Sequence, residues 1–203
     1  MTTLLKIDNL TCVRSNNLLF SNLSFEVERG KTVEIIGPNG SGKTSLLRCI
    51  LGLIEKDEGT IYWKGESTQK CKDSFLKSCF YQGHKLALKS SFTVLENLKY
   101  SHSAIRMKEE QIIETLKKVN LDDLAFIPSS DLSTGQLKKI AVARWLLKEK
   151  EVYLIDEPFT ALDEEGADLI KKIVVDLNSK GVSFLITGHR SSSLNSEEIY
   201  LDV

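Results

Sequence analysis

Gly37, Pro38, Asn39, Gly40, Ser41, Gly42, Lys43 and Thr44 fit the pattern G-x-x-x-x-G-K-[ST], and their flanks dictate how the surrounding chain must fold. Thr32, Val33, Glu34, Ile35 and Ile36 read as a short strand. Ser45, Leu46, Leu47, Arg48, Cys49, Ile50 and Leu51 read as a helix stopped by Gly52. Glycines between a strand and a helix let backbone N–H groups close around phosphate oxygens at the helix N-terminus. Lys43 then reaches the outer phosphates, and the Thr44 hydroxyl is placed to ligate Mg²⁺. An ordinary glycine-rich turn would not account for the strand, the lysine and the threonine together. The pattern therefore implies a bound nucleoside triphosphate.

The bulk properties narrow the setting. At 203 residues the chain is long enough for one α/β domain and too short for two full ones. The net charge is −1, and the basic pairs Lys117, Lys118 and Lys138, Lys139 read as solvated helix faces, so nucleic acid is not favoured as a partner. No apolar run reaches the length that spans a bilayer, and residues 1–10 lack the basic-then-apolar layout of a secretion signal, so a cytosolic protein is expected. Cys12, Cys49, Cys71 and Cys79 form no C-x-x-C pair or Cys/His cluster and read as reduced, mostly buried side chains.

Residues 4–28 read as paired strands. Leu23, Phe25 and Val27 alternate with Ser24, Glu26 and Glu28, and Ser15, Asn16 and Asn17 supply a turn, which predicts an antiparallel edge sheet. The segment from Gly59 through Thr60, Ile61, Tyr62, Trp63 and Lys64 to Gly65 is expected to join it. From about 92 to 149 the texture is helical, with Ile112, Ile113, Leu116 and Val119 on one face and Leu137, Ile140, Ala141 and Trp145 on another. Val152, Tyr153, Leu154 and Ile155 read as a strand buried on both faces. A helix carrying Leu169, Ile170, Ile173, Val174 and Leu177 follows, and Gly181 ends it before a second buried strand over 182–187. Strand and helix in alternation mean a parallel α/β sheet.

Hydrolysing a triphosphate needs a metal that bridges the outer phosphates and a group that orients the attacking water. Asp156, at the carboxyl end of a buried strand, suits the Mg²⁺-associated carboxylate, and Glu157 beside it suits the base or water-positioning group. Leu132, Ser133, Thr134, Gly135 and Gln136 open the next helix upstream, so the Ser133 hydroxyl and the backbone N–H groups form either an anion site or a helix cap.

Taken in order, these motifs resemble the ATP-binding-cassette (ABC) ATPases over about residues 4–190. Residues 37–44 match that family's Walker A motif, 132–136 its signature and 152–157 its Walker B motif. Ala161, Leu162 and Asp163 match the D-loop, and His189, after the strand, matches the switch histidine. The resemblance implies an α/β phosphate-loop NTPase domain of ABC type over residues 1–203. About 1–83 and 147–203 would form the catalytic core with its antiparallel edge sheet, and 84–146 a helical subdomain. It implies ATP and Mg²⁺ as cofactors, ATP hydrolysis to ADP and phosphate, and a head-to-tail homodimer with each ATP between the Walker A of one subunit and the signature of the other. Lys43, Glu157 and His189 would be catalytic. Ser133, Gly135, Gln136 and Asp163 would meet nucleotide across the interface.

Three departures from the family pattern stand out. Thr134 replaces the commonest signature glycine. Arg14 stands where an aromatic stacks on adenine, and a guanidinium can also lie against a flat π face. His84 stands where the family carries a glutamine that senses Mg²⁺ and the membrane partner; Gln82, two residues earlier, is the other candidate for that role. Gly83, His84, Leu88, Lys89, Thr93, Val94, Leu95, Glu96, Asn97 and Leu98 resemble the G-H…K…L-T…E-N-L pattern of the cytochrome c biogenesis branch, the haem-exporter ATP-binding subunits. That branch implies integral membrane partner subunits of a cytochrome c maturation complex and a peripheral position on the cytoplasmic face of the inner membrane. The alternatives are the ATPase subunit of an exporter for drugs, lipids or peptides, or a non-transport cassette protein.

Overall fold

The computed structural model describes residues 2–101, 104, 107–147 and 150–201. Strands β1 (Thr3–Arg14) and β2 (Asn17–Glu28) pair antiparallel across Ser15 and Asn16, both with left-handed backbone that short polar residues tolerate. Phe25 and Val27 are buried while Ser24 and Glu26 are exposed, the alternation of a sheet with one covered face. β4 (Glu58–Trp63) pairs with the other edge of β1, and the two-residue β5 (Glu66–Ser67) completes an antiparallel sheet of order β2-β1-β4-β5.

A second sheet contains β3 (Thr32–Ile36), β6 (Cys79–Gln82), β7 (Val152–Ile155), β8 (Ser183–Gly188) and β9 (Glu197–Tyr200), in the order β6-β7-β8-β3-β9. Every pairing in it is parallel. All residues of β3 and β7 are buried, as strands covered on both faces are; β7 is an unbroken apolar run, whereas β3 buries Thr32 and Glu34 among its apolar residues. Helix α1 (Lys43–Ile50) follows β3, and its Leu46, Leu47 and Ile50 enter one core with Leu5, Ile7, Val33, Ile35, Leu154 and Leu185. This confirms the α/β reading, with additions. Helix α2 (Lys72–Ser78) and strands β5, β6 and β9 are elements that the residue pattern had not marked.

The chain forms two compact units. Both sheets with α1 and α2 belong to the first, made of Met1–Gly83, Lys150–Pro158 and Val174–Val203. The second comprises His84–Glu149 and Phe159–Ile173. It holds α3 (Val94–Lys99), α4 (Glu109–Lys117), α5 (Thr134–Leu147) and the first part of α6 (Glu164–Ser179). α3 starts at a reciprocal cap: the Thr93 hydroxyl accepts the Glu96 N–H at 3.1 Å, and the Glu96 carboxylate accepts the Thr93 N–H at 2.9 Å. Ile112 and Leu116 of α4 are fully buried, as are Ile140, Ala141, Ala143 and Trp145 of α5.

Candidate functional site

The phosphate loop owes its shape to two glycines in particular. Gly42 is the N-terminal cap of α1 with φ 90°, and a Cβ there would lie 3.2 Å from the Leu19 side chain and 3.3 Å from the Phe20 ring. A Cβ at Gly37 would meet the Leu201 carbonyl and the Ser41 hydroxyl, each at 2.6 Å. With glycine as cap, no side chain claims the first N–H groups of α1, and no acidic residue occupies its first turn. The helix start therefore presents free donors and a positive dipole end, which is what an anion needs. The Lys43 ammonium is buried and donates to the carbonyls of Gly37 and Pro38, both at 2.8 Å.

Asp156 follows β7 and is buried, with each carboxylate oxygen accepting a threonine hydroxyl. Thr44 of α1 donates to Oδ2 at 2.8 Å, and Thr187 of β8 donates to Oδ1 at 2.7 Å. Its backbone N–H donates to the Gln82 carbonyl at 2.8 Å, which ties the end of β6 to the same point. Glu157 has left-handed backbone, φ 52°, and its N–H donates to the Thr187 hydroxyl at 3.0 Å. Its carboxylate oxygen Oε1 lies 3.2 Å from Nε2 of His189, just past β8. Lys43, Thr44, Asp156, Glu157 and His189, scattered over 147 positions of sequence, thus converge at the carboxyl ends of adjacent parallel strands, where open α/β sheets bind ligands.

The donor set suits Mg²⁺. Asp156 and Thr44 offer hard oxygens 2.8 Å apart. Among the described residues no three His, Cys, Asp or Glu side chains are grouped to hold a metal by themselves. Mg²⁺ prefers that arrangement, one or two protein oxygens with the rest of its shell from phosphate and water.

In the other unit, Ser133 caps α5. Its hydroxyl accepts the Gln136 N–H at 3.2 Å, and the Gln136 side chain returns to accept the Ser133 N–H at 2.9 Å. A Cβ at Gly135 would lie 3.9 Å from Leu162 and 4.0 Å from the Ser133 hydroxyl, so these two segments adjoin. Asp163 caps α6, its Oδ1 accepting the Gly166 N–H at 2.8 Å. Arg144 of α5 donates to the carbonyls of Leu86 and Ala87 at 2.8 and 3.1 Å. His84 is exposed, whereas Gln82, in the first unit, is half-buried.

Arg14 is less available than the sequence suggests. Its guanidinium donates to the Val13 carbonyl at 2.7 Å and to the Glu55 carbonyl, so two of its five N–H donors are engaged. The residue that sequence reasoning missed is Thr187. In an apolar strand its hydroxyl reads as an incidental β-former, and only the pairing of β7 with β8 brings it beside both acids.

A glycine-shaped phosphate loop joined through a threonine to a buried aspartate at the end of a parallel strand defines a phosphate-loop nucleoside triphosphatase. The chain belongs to the ABC transporter family, whose model matches residues 20–160, and it is an ATP-hydrolysing cassette. It is similar to the cytochrome c biogenesis ATP-binding export protein CcmA of Vibrio vulnificus, 35% identical over 97% of both chains. The protein of the same name from Nitrosomonas europaea is 37% identical over 95% of this chain and 91% of that one. Among solved structures it resembles an ATP-binding cassette in a dimeric post-hydrolysis state with ADP and Pi, with TM-score 0.81, 25% identity and coverage of 98% and 94%. CbiO1 from Clostridium perfringens, part of an ABC transporter complex, gives TM-score 0.77 at 25% identity over 94% and 80%.

Proposed function

We propose that this chain is the ATP-hydrolysing subunit of a membrane complex that serves cytochrome c biogenesis, and that it drives the export or release of haem. The observation that carries the ATPase chemistry is the hydroxyl-bridged Asp156 beside Glu157 and His189. The full-length likeness to CcmA proteins supports the pathway.

In this reading Lys43 and the loop N–H groups hold the β- and γ-phosphates. Thr44 and Asp156 would hold Mg²⁺, which when bound would supply charge neutralisation for the transferred phosphoryl group. Glu157 takes a proton from the attacking water, and His189 contacts the γ-phosphate while holding the Glu157 carboxylate in place. Gln82, tied to Asp156 through the backbone, suits the metal-sensing role better than exposed His84. Arg14 lies flat against the base. Two copies pair head to tail, with Ser133, Gly135, Gln136 and Asp163 of one facing the nucleotide of the other, and hydrolysis reopens the pair.

Among the described residues no helix is long and apolar enough to cross a membrane, in keeping with a peripheral subunit held to the cytoplasmic face of the inner membrane by integral partners. The coupling surface lies along residues 83–100, and Asn97 ties together the 88–97 stretch within it. Replacements there should uncouple hydrolysis from transport, and unchanged transport would count against this assignment. The primary test is purification of the tagged chain from native membranes in mild detergent, with mass spectrometry and a haem absorption spectrum. Recovery of cytochrome c maturation membrane subunits is expected. Unrelated permease subunits would remove the haem assignment and leave the ATPase.

A further inference from the structure

We infer that Thr187 is the positioning residue that sets Asp156 and Glu157 in register with each other, an inference that rests on the proposed roles of those two acids. Thr187 is 1% exposed in β8, and its hydroxyl does two things at once. It donates to Oδ1 of Asp156 at 2.7 Å and accepts the backbone N–H of Glu157 at 3.0 Å. A hydroxyl has one hydrogen to give and lone pairs to accept with, so one group satisfies both contacts. Serine retains that capacity, and valine and alanine lack it.

The two contacts constrain different things. Asp156 has its other oxygen held by Thr44, so the hydroxyl of Thr187 fixes the plane of a carboxylate that Thr44 alone would leave free to rotate. At Glu157 the bond is to the backbone of a residue with φ 52°, a conformation that an unbranched L-residue keeps only when its surroundings hold it. The Glu157 side chain then reaches His189, two residues beyond Thr187 on the same strand-to-loop segment. One buried hydroxyl thus indexes the metal-side carboxylate, the water-side carboxylate and, through its own strand, the histidine. Its loss should move the reacting groups apart without disturbing the phosphate loop.

The test compares Thr187→Val, Thr187→Ser and Thr187→Ala with Lys43→Ala and Glu157→Gln in the purified chain. Steady-state ATPase is measured alongside binding of a fluorescent ATP analogue with and without Mg²⁺. In Thr187→Val, kcat should fall on the order of a hundredfold while KM for ATP changes much less. The Mg²⁺-dependent gain in analogue binding should shrink, and binding without Mg²⁺ should match wild type. Thr187→Ser should restore both. Wild-type kcat in the valine variant, or equal impairment of serine and valine, would overturn the inference. If valine does not fold, serine and alanine, which differ by the hydroxyl alone, decide the matter in the same way. Loss of activity in Lys43→Ala and Glu157→Gln alongside an unaffected Thr187→Val removes this inference only. Retained activity in those two removes the roles on which it depends, and the inference with them.

Discussion

Thr44 and Asp156 are 112 positions apart in sequence, yet the hydroxyl of one donates to the carboxylate of the other at 2.8 Å. That bond joins the helix after the phosphate loop to the end of a different strand, so the oxygens proposed to hold the metal are in place before any ligand contributes. Electrostatic groups set in advance need little reorganisation during the reaction, and that preorganisation is where much of an enzyme's rate advantage arises.

Glu157→Gln keeps the shape of the side chain and removes its capacity to take a proton. We expect phosphate release to fall by roughly a hundredfold or more, the span of a lost general base. ATP should then hold the chain as a dimer, visible by light scattering with size-exclusion chromatography. Turnover at the wild-type rate would remove Glu157 from the catalytic role.

Asn97 is buried, and its amide donates to the carbonyls of Lys89, Phe92 and Thr93 and to the Ser129 hydroxyl, while its oxygen accepts the Lys89 N–H. The three carbonyls keep backbone N–H partners, but Asn97→Ala removes the acceptor of the Lys89 N–H and the donor to the Ser129 hydroxyl, which should cost about 2 kcal/mol. The check is a lower urea midpoint with an unchanged denaturant slope.

Glu151 should make stability depend on pH in one direction. Partial burial pulls its carboxyl upward, but hydrogen bonds from Lys64, Arg29 and Ser78 outweigh that and hold it below the usual carboxylate range. A depressed folded-state value contributes stability above the unfolded carboxylate range, and this is lost as pH falls through the folded value. The partners are near half-exposed, so the Glu151→Gln deficit at neutral pH should be no more than about 1 kcal/mol. It should vanish in acid, and a deficit that persists there would show that the ion pairs are not its source.

The four thiols should react unequally. Burial pushes Cys79 up to about 12 and Cys49 up to about 11, and it raises Cys12 as well. Only the thiolate attacks. In the native protein, a disulfide reagent should therefore modify half-exposed Cys71 first, with the other three following only on unfolding. Mass spectrometry of the labelled peptides reads this directly.

The parts of the fold that were legible in sequence are those with long or chemically loud signals. The unbroken apolar run of β7, the alternation in β2 and the glycine-lysine spacing of the phosphate loop are each compatible with few local structures. β6 is four residues, Cys-Phe-Tyr-Gln, and β9 is Glu-Glu-Ile-Tyr; runs this short show no period, and their pairing partners lie far away in sequence. Neighbouring strands decide them. The same holds at the site: Asp156 and Glu157 announce themselves as acids after a buried strand, whereas Thr187 acquires its meaning only from the strand beside it. Nor is it legible in sequence that the Arg14 guanidinium donates to two carbonyls in the fold.

The left-handed backbone of Glu157 sets two selective pressures against each other. That conformation costs a non-glycine residue of order 1 kcal/mol or more, so a glycine here would stabilise the isolated domain. Random variants screened for heat tolerance alone should accumulate glycine or asparagine at this position and lose turnover as they do. Stabilised versions of this protein will have to be sought at positions remote from Glu157, since its conformational cost accompanies the place in the reaction proposed for it.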